Sequence, residues 1–298
     1  MPNDVCIRVA GIAVRAWTQQ ANVRLHVAQP DDKFLVNPDE PALDLEVVVG
    51  RLPSVPDAPR LFRSGNTWSL RSDGDTHWLA AGWDAMQTGI GRVVIIHEQQ
   101  PPGKLIISPG ARIRGLTDTL EGPIVDPFAF PLLEVLVYWQ LARTGGTCFH
   151  ASGVVQGGRA CAFAGTSGQG KTTIARIMQQ AGRDVLSDDR VGLSTDQGRL
   201  LLHGTPWHGT PALATPAGAP LAGFFFIEHG ERTEALPLPA AEACARLVAA
   251  ACPPYFSRDL MGRVVATCAE IADTVPCYRL PFRRDLSALE VVETIIGA

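Results

Sequence analysis

The chain of 298 residues carries 26 Lys and Arg against 30 Asp and Glu, for a formal net charge of −4, and is 46% hydrophobic and 19% charged. That composition excludes a disordered or fibrous protein. The charge balance lacks the concentrated basic face that grips a phosphate backbone, so no nucleic-acid partner is expected. No apolar stretch approaches the roughly 20 residues that span a bilayer, and Met1-Pro2-Asn3-Asp4 lacks the basic, apolar start of a secretion signal. The expectation is a cytoplasmic protein with no membrane span. Its 7 Cys are widely spaced without a Cys-x-x-Cys pair, which argues against a disulfide framework or a structural zinc.

The length suggests two domains, and the pattern places them at 1–120 and 121–298. Residues 1–120 read as mainly β: Val5–Val9, Val23–Val27, Leu43–Val49, Thr67–Leu70 and Val93–Ile96 are short apolar runs parted by Pro, Gly, Asp and Asn. Trp68 and Trp78 flank Ser72-Asp73-Gly74-Asp75, a turn signal that predicts a hairpin. This β-rich region carries no chemical motif and is a candidate for peptide recognition.

A helix is predicted from Pro131 to Arg143, stopped by Gly145-Gly146. Thr147–Val155 and Arg159–Ala164 read as strands joined around Gly157-Gly158. Lys171 to Ala181 reads as a helix that buries Ile174, Ile177 and Met178, and Val185-Leu186 as the next strand, expected beside Arg159–Ala164. Leu200–Leu202, Leu221–Ile227 and Cys277–Leu280 are further strands. Pro239–Ala250 is a helix with Ala243, Leu247 and Val248 inward. Asp285–Ile296 is a closing helix with Leu286, Leu289, Val292 and Ile296 on its apolar face.

The chemistry concentrates in Gly165-Thr166-Ser167-Gly168-Gln169-Gly170-Lys171-Thr172-Thr173. Glycines at 165, 168 and 170 let a backbone turn tightly around an anion, with N–H groups pointing inward and the positive end of a helix dipole beneath. In such a strand–loop–helix setting, Lys171 reaches the β- and γ-phosphates of ATP and Thr172 offers its hydroxyl to Mg2+.

Asp188 and Asp189 follow Val185-Leu186 at a strand end. Adjacent carboxylates there cannot point the same way. One suits magnesium, and the other suits the proton of an acceptor hydroxyl. The expected division is Asp188 as base and Asp189 on metal, although a solvated strand end also accommodates such a pair. His150, in Phe149-His150-Ala151-Ser152, is a candidate to orient an aspartate or donate to a phosphate oxygen, against the reading of a core histidine. Ser152 and Arg190 are open between structural and site roles. Trp207, in Thr205-Pro206-Trp207-His208-Gly209, is a core residue, a stacking partner for adenine or a wall around the acceptor.

Together Phe149-His150-Ala151-Ser152, the glycine-rich loop and Leu186-Ser187-Asp188-Asp189 resemble the catalytic domain of the HPr serine kinase/phosphorylase family. That family is a branch of the phosphoenolpyruvate carboxykinase-like P-loop fold. The resemblance covers residues 130–195 best and continues loosely through Gly204-Thr205-Pro206-Trp207 and Val275–Leu280. It implies an α/β P-loop kinase core, ATP and Mg2+, the first aspartate as base toward a serine, the second on metal, and a histidine supporting the aspartate. The family's Ile-Arg-Glu-Leu-Gly-like signature is absent from the sequence, and its N-terminal domain does not look like residues 1–120. The chain is more similar to divergent kinases of ribosomal-peptide biosynthesis, including lasso-peptide tailoring kinases. That likeness implies a peptide or small-protein acceptor and leaves a homo-oligomer open. The expected activity is transfer of the γ-phosphoryl group of ATP to a peptide hydroxyl. A small-metabolite kinase, a phosphoenolpyruvate-forming or nucleotide-hydrolysing enzyme and a nucleotide-regulated peptide-binding protein remain alternatives.

Overall fold

The computed structural model describes residues 3–37, 40–82, 90–98, 100–109, 122–209 and 213–296. The chain is mixed α/β and divides into two compact units, one of residues 1–8, 12–137 and 255–257, the other of 9–11, 138–254 and 258–298. The expected boundary between residues 120 and 121 lies outside the described residues.

The first unit is built on strands β1 (Asp4–Val9), β2 (Ile12–Trp17), β3 (Arg24–Leu25), β4 (Leu35–Val36), β5 (Leu43–Val49), β6 (Arg60–Ser64), β7 (Trp68–Ser72), β8 (Thr76–Gly82), β9 (Ile90–His97), β10 (Gly103–Ile107) and β11 (Ile124–Val125). Among the described residues, nine of them form one sheet in the order β4-β1-β2-β5-β10-β9-β8-β7-β6, and β3 pairs with β11. The alternation Leu43, Leu45 and Val47 buries every second side chain of β5, as a strand with one covered face requires. The predicted hairpin is β7–β8, with Trp68 opposite Ala81 and Trp78 opposite Arg71. Val23–Val27 contributes only the two-residue β3. Strands β2, β6 and β10 lay outside the sequence prediction.

Helix α1 (Leu132–Arg143) is followed by β12 (Thr147–Phe149), β13 (Ala151–Gln156), β14 (Arg159–Ala164), α2 (Lys171–Gln180), β15 (Asp184–Ser187), β16 (Val191–Asp196), β17 (Arg199–Gly204) and β18 (Gly218–His229). The chain continues through β19 (Leu236–Pro237), α3 (Ala240–Ala250), α4 (Arg258–Thr274), β20 (Cys277–Phe282) and α5 (Ser287–Ile296). The twelve-residue β18 joins two parts of the second unit's sheet. Its first residues pair antiparallel with β17, and its remainder runs parallel between β14 and β20.

Along Phe224-Phe225-Phe226-Ile227, period-two alternation sends Phe225 and Ile227 into one core and the other two to the opposite face. Phe225 and Ile227 meet Phe163, Ile174, Met178, Val292 and Ile296 beneath α2 and α5. Phe224 packs edge-on against Phe149 at 5.2 Å, and Phe226 lies beneath the Arg246 guanidinium of α3 at 5.8 Å. Ring stacking of Phe163 on Phe225 at 5.2 Å locks β14 and β18 in register.

Four expectations change and one helix is new. The run Thr147–Val155 breaks at His150 into β12, which pairs with β16, and β13, which pairs with β14 and β15. Strand β15 does not pair with β14, because the β13–β14 hairpin places β13 between them. Val248 is exposed, since α3 buries only the narrower stripe of Ala243 and Leu247. Leu286 lies before the first turn of α5 and is exposed, leaving Ala288, Val292 and Ile296 as the buried face. Helix α4 lay outside the sequence prediction, although Leu260, Val264, Cys268 and Ile271 make a helical stripe.

Candidate active site

Strand direction gathers the site. Strand β13 runs against both β14 and β15, and β14, β18 and β20 are mutually parallel. The C-terminal ends of β14, β15, β18 and β20 therefore share one sheet edge, at which β13 begins. Open α/β sheets bind ligands at such an edge.

Beyond β14, residues Gly165–Gly170 turn into α2. Gly170 caps the helix with φ +109°, and its carbonyl accepts from Ile174 N–H at 2.9 Å. A Cβ at that position would lie 2.9 Å from Phe282 Cζ, so both backbone sign and space demand glycine. Within the loop, Gln169 Oε1 accepts from the Thr166 N–H at 2.6 Å. Lys171 is buried, and its ammonium donates to the carbonyls of Gly165 at 2.8 Å and Thr166 at 3.4 Å. Burial pushes its pKa below the usual lysine range, against the opposing charge of Asp189.

At the end of β15, Ser187 organises the aspartates. Its hydroxyl donates to Trp207 C=O at 3.3 Å and accepts from the N–H groups of Asp189 and Arg190, each at 3.4 Å. This tight turn sends the two carboxylates apart. Asp188 is 1% exposed. Its Oδ1 accepts from Gly209 N–H at 2.8 Å, while buried Oδ2 has no hydrogen-bond partner among the described residues. Asp189 points instead to His150, whose Nε2 donates to Oδ1 at 3.0 Å, and to Arg190, 3.7 Å from Oδ2. The His150 hydrogen bond, then the charges of His150, Arg190 and Lys171, hold the Asp189 carboxyl below the usual carboxylate range despite burial.

The histidine thus meets the second aspartate, not the first. Ser152 is buried, and its hydroxyl has no hydrogen-bond partner among the described residues. Ser152 and Val154 share one face of β13, and Val154 enters the core beneath α2, while His150 stands at the bend before the strand. Trp207 is half-buried and packs edge-on to Tyr138 at 5.2 Å. The segment Trp207–Gly209 covers Asp188, and a Cβ on Gly209 would come within 3.0 Å of Asp188 Oδ2. The sequence assigns Gly209 a sharp turn and gives no sign of its contact with Asp188.

Among the described residues, no group of three His, Cys, Asp or Glu side chains converges as a metal site. A magnesium site has no need of one, since that ion keeps several waters and takes one or two carboxylates together with phosphates.

No protein-family model matches the chain, and no curated protein matches its sequence. Among solved structures the chain is similar to the Hpr(Ser) kinase/phosphatase from Coxiella burnetii. The match has 11% identity and a TM-score of 0.31, over 50% of this chain and 88% of that chain.

Proposed function

We propose that the chain is an ATP-dependent phosphotransferase that moves the γ-phosphoryl group to a hydroxyl, with a peptide or small-protein serine as acceptor. One observation carries this reading: the Gly165–Lys171 loop, the Asp188–Asp189 turn and His150 meet at the same edge of the sheet. A phosphate oxygen would compete with Gln169 Oε1 for the Thr166 amide and with the loop carbonyls for the Lys171 ammonium. The glycine at 170 and the helix dipole of α2 suit an anion at that point.

The donor set fits magnesium. Asp189, held anionic by His150 and Arg190, is a poor proton acceptor and a suitable cation ligand together with Thr172. A bound magnesium would neutralise charge on the phosphates during transfer. Asp188 presents the open lone pairs of Oδ2, suited to take the proton of the acceptor hydroxyl. His150 then positions Asp189. The Trp207–Gly209 segment excludes water from Asp188.

A second reading exchanges the carboxylates, with Asp188 Oδ2 on the metal and the His150–Asp189 pair at the acceptor. The 3.0 Å hydrogen bond favours it. Incubation with γ-labelled ATP, magnesium and serine-containing peptides tests both readings. Label on serine that requires Lys171 supports transfer. Release of free phosphate alone, or label carried by a small metabolite alone, would replace it with the corresponding alternative.

A further inference from the structure

Strand β6 ends the nine-stranded sheet of the first unit, and among the described residues no strand pairs with its outer edge. Such an edge offers a row of backbone donors and acceptors to an incoming strand. The register between β6 and β7 shifts between Arg60 and Phe62, so Leu61 is bulged out of the pairing and 41% exposed. Bulges at sheet edges re-aim side chains. Here the bulge sits beside an aromatic platform. Phe62 and Trp68 have ring centroids 4.8 Å apart, Tyr255 stacks on Phe62 at 6.4 Å, and Phe256 meets Trp68 edge-on at 6.5 Å. Tyr255 is 62% exposed.

The charge of this edge is one-sided. Arg60 and Arg63 are exposed on β6 itself, and Arg71 lies opposite Arg60 on β7. Arg63 leans on Gly65 C=O and Asn66 Oδ1, both neutral, and Arg71 pairs with Asp57 at 3.5 Å. An edge made of arginines and exposed apolar groups complements an extended segment that alternates carboxylates with apolar side chains. A second copy of the chain fits poorly, because antiparallel pairing of β6 with itself would set arginines against arginines.

We propose that β6 is a docking edge for an extended acidic peptide segment of a partner, which adds to the sheet as a further strand with its apolar side chains on the Leu61, Phe62 and Tyr255 platform. Docking requires neither nucleotide nor Asp188, so it stands or falls separately from phosphoryl transfer.

The test is fluorescence anisotropy of the full chain, without nucleotide, against a labelled peptide of about ten residues alternating Glu and Val. The Glu-Val peptide binds and a Lys-Val counterpart does not. Arg60→Glu with Arg63→Glu, folded by circular dichroism, weakens Glu-Val binding roughly tenfold or more. Two N-methylated versions, blocking alternate amides in the two possible phases, separate strand addition from charge attraction: one phase abolishes binding and the other preserves it. Equal effects of both phases, equal binding of both peptides, or no binding at about 1 mM would overturn the proposal. So would a concentration-dependent dimer, seen by sedimentation, that Leu61→Pro disperses, since it would assign the edge to a second copy.

Discussion

His150 Nε2 donates to Asp189 Oδ1 at 3.0 Å, tying the residue that precedes β13 to the turn that follows β15. The bond holds the Asp189 carboxyl below its ordinary value, so its contribution to stability has a definite pH window. A depressed folded-state pKa stabilises the fold above the unfolded value of about 3.9. That contribution disappears as pH falls through the lower, folded value. His150→Phe should therefore cost about 1 kcal/mol at neutral pH and little once Asp189 is protonated. Urea midpoints of the two proteins across acid and neutral pH check this. A constant difference at every pH would assign the loss to packing alone.

The division of labour between the aspartates is read from kinetics. With Asp188 as base, Asp188→Asn lowers kcat by roughly 10²–10⁴ while nucleotide affinity holds. Asp189→Asn instead weakens magnesium dependence and shifts the metal concentration for half-maximal rate. Exchange of these two signatures would establish the second reading.

Local pattern carried the loop and its helix into the sequence reading, because glycine spacing and the stripe of Ile174, Ile177 and Met178 are both short-range. Sheet order was not legible in the same way. Strand β15 looks the same in sequence whether it lies beside β14 or β13, and only the β13–β14 hairpin decides. The partner of His150 was hidden for a related reason. Asp188 and Asp189 differ by one residue, and the Ser187 turn determines which of them reaches the histidine. Helix α4 was legible and missed: Ser257 precedes it, Asp259 lies in its first turn, and Leu260, Val264, Cys268 and Ile271 have the helical period.

A cluster in the first unit is likewise assembled from distant positions and yields a prediction opposite in sign to that for Asp189. Burial first, then the charges of Asp126 and Asp32, push the Asp31 carboxyl up to about 7. A raised folded-state pKa makes the ionised form a burden. Stability should fall as pH rises from the unfolded value of about 3.9 towards 7, and the penalty is complete above that. Asp31→Asn should stabilise the chain above pH 7 by on the order of 2 kcal/mol and lose that advantage below about pH 4. Thermal melts of both proteins across this range decide it, and destabilisation at pH above 7 would show that Asp31 is favourably paired.

Glycines 170 and 209 separate fold from chemistry. At Gly170 a methyl group meets φ +109° and the Phe282 ring at 2.9 Å, a contact that reaches into the core beneath α2. Gly170→Ala should therefore lower stability by about 1–3 kcal/mol and weaken nucleotide binding in parallel. At Gly209 no left-handed backbone is involved, and the three nearest atoms an added methyl would meet all belong to the Asp188 carboxylate, Oδ2 at 3.0 Å. Gly209→Ala should cost less stability than Gly170→Ala, about 1 kcal/mol, while lowering kcat, because it displaces the oxygen assigned to the acceptor proton. Denaturation and steady-state rates measured on the two variants test the contrast. If Gly209→Ala retains full kcat, the Trp207–Gly209 segment moves away from Asp188 during turnover and Oδ2 is not fixed by it.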